Sequence, residues 1–119
     1  MPAYRNRPDR RRSPYAASMQ VQGFISWNIT AGSASEIWIR FTERVTHDGA
    51  ADVFKIWNID DLIEQPATGA ELQPDGLNLL LTNPGTWVGT LTLTPNQTQN
   101  HVRSLSGRFL DNGPNTIAI

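Results

Sequence analysis

The 119-residue sequence has no cysteine. That excludes a disulfide framework and any thiolate metal site. Lysine occurs once, at Lys55, so nine of the ten basic residues are arginine. Histidine occurs only at His47 and His101, too sparse a ligand set to imply a metal. No apolar run approaches the roughly 20 residues that span a bilayer. The Arg-rich start has no apolar stretch behind it, so no secretory signal is expected. These absences predict a soluble protein from a reducing compartment with no membrane partner. Catalytic signatures are missing as well. No serine sits in a G-x-S-x-G elbow, and no glycine-rich phosphate loop is present. Asp60, Asp61 and Glu64 read as capping and solvated carboxylates, not as an opposed acid–base pair across a cleft. The expectation is a protein that is not an enzyme and uses no cofactor or metal.

What is present is period-two patterning. In residues 36–45, Ile37, Ile39, Phe41 and Val45 fall on one face, and Trp38, Arg40, Thr42 and Arg44 on the other. His47-Asp48-Gly49-Ala50 breaks the run, and Asp-Gly between alternating stretches predicts a hairpin with Gly49 at positive φ. Residues 53–59 form the expected return strand, apolar on both faces and therefore placed inside a sheet. Residues 20–30 predict the first strand, with Val21, Ile25, Trp27 and Ile29 inward and Gly23 at a bulge or a close approach. Residues 60–66 predict one helical turn capped by Asp60. Short strands follow over residues 70–72, 77–82 and 86–94. In the last of these Trp87, Leu91 and Leu93 point inward. Residues 101–110 are read as a strand with Leu105 and Phe109 inward, and residues 116–119 close the chain. Trp27, Trp57 and Trp87 are assigned to the core.

Seven or eight short strands at roughly ten-residue spacing, separated by Gly, Pro, Asn and Asp, predict an all-β fold. The expected form is an antiparallel β-sandwich or small barrel, jelly-roll, Ig-like or β-tulip in type. Residues 19–119 form this domain, and residues 1–18 form an extended arm. The arm holds Arg5, Arg7, Arg10, Arg11 and Arg12 against the single acid Asp9, a net +4. The remainder holds five basic and ten acidic residues, a net −5. Such a split suggests a basic arm that seeks an acidic partner. Pro2, Pro8 and Pro14 favour an extended strap, with Tyr4 and Tyr15 as pegs. Five arginines are few for an arm that condenses nucleic acid, which argues against nucleic acid as the main partner. Phe24 and Trp38, with Arg40 and Arg44, are the candidate interface on the body, suited to a subunit contact, a sugar platform or base stacking.

The Thr-rich stretch TWVGTLTLTP, the turn-separated strands, the lack of cysteine and the Pro/Arg arm together resemble small tailed-bacteriophage virion proteins. The likeness is to capsid decoration (cement) proteins and tail or neck accessory proteins. It implies a β body bound at repeated sites on a shell or tube, with the major capsid protein or other virion subunits as partners. It also implies a homo-oligomer, a trimer above other states, made in the host cytoplasm and carried in the virion. No functional residue is carried over. A carbohydrate- or receptor-binding β module using Trp38 or Phe24, and nucleic-acid binding through the arm, stand as alternatives.

Overall fold

The computed structural model describes residues 23–96 and 101–119. The proposed arm, with Tyr4, Arg5, Arg7, Arg10, Arg11, Arg12 and Tyr15, lies outside them, as do the start of the expected first strand and part of the loop after Pro95. Twelve strand segments follow in chain order: β1 Phe24–Ile25, β2 Trp27–Gly32, β3 Glu36–Phe41, β4 Val45–His47, β5 Phe54–Asn58, β6 Ile63–Glu64, β7 Gly69–Leu72, β8 Asn78–Thr82, β9 Thr90–Pro95, β10 Val102–Ser104, β11 Phe109–Leu110 and β12 Asn115–Ala118. Two four-stranded antiparallel sheets dominate, in the orders β2-β3-β8-β7 and β12-β9-β5-β6. Two short ribbons, antiparallel β4–β10 and parallel β1–β11, finish one end. The all-β sandwich expected from the patterning is the fold observed.

Alternation builds the core as elementary strand geometry requires. Ile37, Ile39 and Phe41 of β3 and Leu79 and Leu81 of β8 face Phe54 and Ile56 of β5 and Leu91 and Leu93 of β9. The Trp27 and Phe54 rings meet across the two sheets at 4.6 Å between centroids. Trp87 is 1% exposed, and its indole N–H donates to the Gln65 carbonyl at 2.8 Å. Gly32 lies where a Cβ would meet Ile117 at 2.5 Å, so the absent side chain is what lets β2 approach β12.

Several expectations are corrected. Asp48-Gly49 does not close a hairpin. Gly49 has φ +94°, as expected, yet β4 pairs with β10 while β5 pairs with β9 and β6. The glycine serves a crossover from ribbon to second sheet, a distinction that local turn chemistry does not encode. Strand β5 is interior to its sheet, but only Phe54, Ile56 and Asn58 are buried. Trp57 is 39% exposed on the outer face. Residues 101–110 are not one strand. A turn at Leu105–Gly107 shifts the pattern, so Val102, Ser104 and Leu110 are buried while Leu105 is 65% exposed and Phe109 is half-buried. Positive φ at Gly89 likewise breaks the expected 86–94 strand, although Trp87, Leu91 and Leu93 do point inward. Residues 60–66 hold no turn capped by Asp60; a single turn over residues 59–62 closes on Leu62 N–H to Asn58 O, is capped by the Asn58 side chain and leads directly into β6.

Candidate interaction surface

The two ends of the sandwich differ. Strand β5 runs from Phe54, opposite Pro95, to Asn58, opposite Leu91. Beyond Asn58 lie the β5–β6 turn, the 83–89 loop and the 33–35 loop. They are tied together by Ile59 N–H to Thr90 O at 3.0 Å, Trp87 N–H to Ala34 O at 3.1 Å and Ile119 N–H to Gly89 O at 2.8 Å. We call this end the β5–β6 pole. The other end carries the two short ribbons and the beginning of the described chain; it is the ribbon pole.

The β5–β6 pole is organised by one buried amide. Asn58 Oδ1 accepts from the N–H groups of Asp60 at 2.8 Å and Asp61 at 3.2 Å, and Nδ2 donates to Val88 O at 2.7 Å. The side chain thus fixes the turn and pins it to the neighbouring loop, as an Asn in a tight turn can. Leu62 N–H donates to Asn58 O at 2.8 Å, with Leu62 held at φ +59°. A left-handed conformation at a leucine costs on the order of 1 kcal/mol, so the surrounding bonds impose it. Gly89 fits because a Cβ there would stand 2.9 Å from Asp60 Oδ2 and 3.2 Å from Asn58 Nδ2.

What this frame presents is apolar. Ile59, Leu62, Ile63 and Val88 are all exposed, Leu62 at 77%. Trp57 stands on the adjoining outer face, opposite Glu64 and Thr92. Clustered exposed side chains of this size mark an interaction surface, where scattered ones would not. Asp60, Asp61 and Glu64, within and just after the same turn, are all exposed. Asp60 Oδ2 accepts from Thr90 N–H at 3.3 Å. Among the described residues no ion pair joins these three acids to a basic side chain.

At the ribbon pole several carboxylates are bonded locally. His101 Nδ1 lies 2.6 Å from Asp48 Oδ2 and its Nε2 lies 3.0 Å from Asp52 Oδ1. Both contacts are donations only when the ring carries both protons. The His101 bond, then the Ala50 N–H, holds the Asp48 carboxyl below its ordinary value. Leu77 N–H first, then the Asn78 side-chain amide, does the same for Asp75. Arg108 pairs with Glu43 at 3.2 Å. His101 thus belongs to a clasp between the start of β10 and the crossover loop. Among the described residues no cluster of three or more His, Asp or Glu is placed to hold one. A hollow of about 220 Å³ beside Trp27, Asp111 and Pro114 is below the ~300 Å³ at which small-molecule pockets begin.

The candidate interface named from the sequence does not form one patch. Trp38 is half-buried on the outer face of β3, beside Ala31 and Leu80, with Arg40 exposed two residues on. Phe24 is exposed in the parallel ribbon next to Phe109, over which the Arg103 guanidinium lies at 5.1 Å. Ala31 and Phe24 are seven residues apart, which at ~3.3 Å per residue puts Trp38 and Phe24 ~20 Å apart. Arg44 is exposed against Gly76 at the ribbon pole. The β5–β6 pole was missed because its turn read as one capped by Asp60. The usable signal was Asn58 followed by Asp60-Asp61, an Asx-type turn.

No protein-family model matches the sequence, and no curated protein matches it. Solved structures do match in fold. The S-layer protein rSbsC(31-844) aligns with TM-score 0.67 at 15% identity, over 90% of this chain and 15% of that one. The N-terminal part of the bacterial S-layer protein SbsC aligns with TM-score 0.64 at 16% identity, over 87% of this chain and 25% of that one. The structure of SbsC domains 1-6 gives 0.65 at 16% identity, over 87% and 15%. The chain thus spans a quarter or less of the length of these neighbours, and the likeness is one of fold.

Proposed function

We propose that this chain is a non-catalytic structural component that binds and stabilises a repeating protein shell, of the capsid-decoration type. The observation that carries the reading is the β5–β6 pole. A rigidly framed group of exposed apolar side chains of this kind serves binding. The Thr-rich stretch and the Pro/Arg arm give the shell its viral form, with the major capsid protein as the partner. The fold likeness favours a second form of the same reading. S-layer proteins, by name, build surface layers, and such a layer is also a lattice of repeated sites.

Co-sedimentation tests this. The full chain is spun with purified virions, with isolated surface-layer sheets, and alone, and a glycan array is probed in parallel. Pelleting with one lattice at a saturable ratio supports the structural role and selects its form. Failure to pellet with either, or strong array binding through Trp38 or Phe24, rejects it.

A further inference from the structure

The apolar group Ile59, Leu62, Ile63 and Val88 is uncovered in the single chain. Two observations say what covers it. The first is charge. The three acids in and beside the turn that carries the group, Asp60, Asp61 and Glu64, have no ion pair to a basic side chain among the described residues. The basic residues described lie toward the other end: Arg40 and Lys55 pair with Asn78 and Thr94, and Arg44, Arg103 and Arg108 stand at the ribbon pole. The partner of the β5–β6 pole is therefore cationic and partly apolar. The second is chain length. Twenty-two residues precede Gly23, which enters β1 at the ribbon pole, and they include five arginines and two tyrosines. Such a segment spans at most ~70 Å when extended, against ~20 Å for a six-residue strand of the sandwich.

We propose that the β5–β6 pole receives the N-terminal segment of a second copy, linking copies head to tail. Tyrosine and proline would cover Leu62, Ile63 and Val88, while the arginines of positions 5–12 meet Asp60, Asp61 and Glu64. Arginine suits this surface, because its planar fork binds carboxylates bidentately and its stem packs on apolar groups. The segment leaves one pole and the receiving group sits at the other, so the contact is heterologous. It closes into a ring or continues as a filament according to the rotation between copies. The inference deepens the structural reading by naming what the pole receives, and it rests on that reading in treating the pole as a docking surface.

A charge swap in the full-length chain tests it, without any shell present. One variant carries R5E, R7E, R10E, R11E and R12E; the other carries D60K, D61K and E64K. Circular dichroism melts check that both fold, and sedimentation velocity reads association at about 50 mM and about 500 mM salt. The wild type is expected to associate at low salt and dissociate at high salt. Each variant alone should associate about tenfold or more weakly, as opposed like charges require. The two mixed should recover association, because each then offers the complement of the other. A mixture that stays monomeric, variants that associate like the wild type, or a wild type that is monomeric at low salt overturns the proposal. Pelleting with a purified lattice is scored separately. A chain that binds the lattice yet never self-associates disproves the arm contact and leaves the structural role standing.

Discussion

The ribbon pole and the β5–β6 pole are built from the same materials, short turns rich in Asp and Asn, yet they treat charge in opposite ways. At the ribbon pole Asp48 and Asp52 hold His101, Glu43 holds Arg108, and Asp75 is consumed by its own turn. At the β5–β6 pole the buried amide of Asn58 does the structural bonding, and the carboxylates of Asp61 and Glu64 are left pointing to water beside Leu62 and Ile63. A carboxylate whose oxygens hold a turn has fewer left for a partner; Asp60, with Oδ2 on the Thr90 N–H, is engaged in part, while Asp61 and Glu64 are not. Where a neutral amide takes over that task, the charges remain free for recognition. The difference identifies which end is structural and which is offered.

The largest expected effect lies beneath the offered end. Trp87→Ala removes a fully buried ring and leaves the Gln65 carbonyl without its donor. It should cost about 3–5 kcal/mol in chemical denaturation. A loss under about 1 kcal/mol would show that the pole is not anchored in the core. Next comes Asn58→Ala, which strands the Val88 carbonyl and two turn N–H groups. About 2–3 kcal/mol is expected, with faster amide exchange at Asp60 and Asp61. Unchanged exchange there would break the claim that Asn58 frames the pole.

Leu62→Gly sharpens the comparison because its two readouts part. Glycine accepts φ +59°, so stability should hold or rise by up to about 1 kcal/mol, while self-association weakens as the exposed side chain is lost. A clear loss of stability with intact association would mean that Leu62 is a packing residue. The smallest effect belongs to the ribbon pole and depends on pH. Asp48 has its carboxyl lowered in the folded chain from 3.8. A depressed carboxylate adds stability above its unfolded value, and that stability is lost as pH falls through the lower folded value. Asp48→Asn should therefore flatten the acid limb of the melting curve below about pH 4 and change little at neutral pH. An acid limb that stays as steep as the parent's would remove His101–Asp48 as its cause.

The fold was legible where burial follows alternation. Ile37, Ile39, Phe41, Leu79, Leu81, Leu91 and Leu93 all point as period two dictates. It failed where two-residue strands and turns reset the register, as at Leu105, since a shift of one residue moves every side chain to the other face. Partner choice after Gly49 was illegible because a positive-φ glycine serves a hairpin and a crossover equally. Trp57 was misplaced because an aromatic on the outer face of a sheet looks, in sequence, like one on the inner face. The candidate surface was hidden for a spatial reason: Val88 joins the turn that carries Ile59, Leu62 and Ile63 only when Asn58 bonds across thirty positions to the 83–89 loop.

The absence of cysteine makes the central claim directly measurable. One full-length chain carries Ser13→Cys, in the arginine segment. A second carries Leu62→Cys, at the β5–β6 pole, and a third carries Leu105→Cys, also exposed, at the ribbon pole. Under mild oxidation at low salt, mixing the first with the second should give a disulfide-linked heterodimer faster than mixing the first with the third. A rate ratio of about tenfold or more, abolished at high salt, is the predicted result. Equal rates for the two mixtures would contradict it and would leave the exposed apolar pole without the occupant assigned to it.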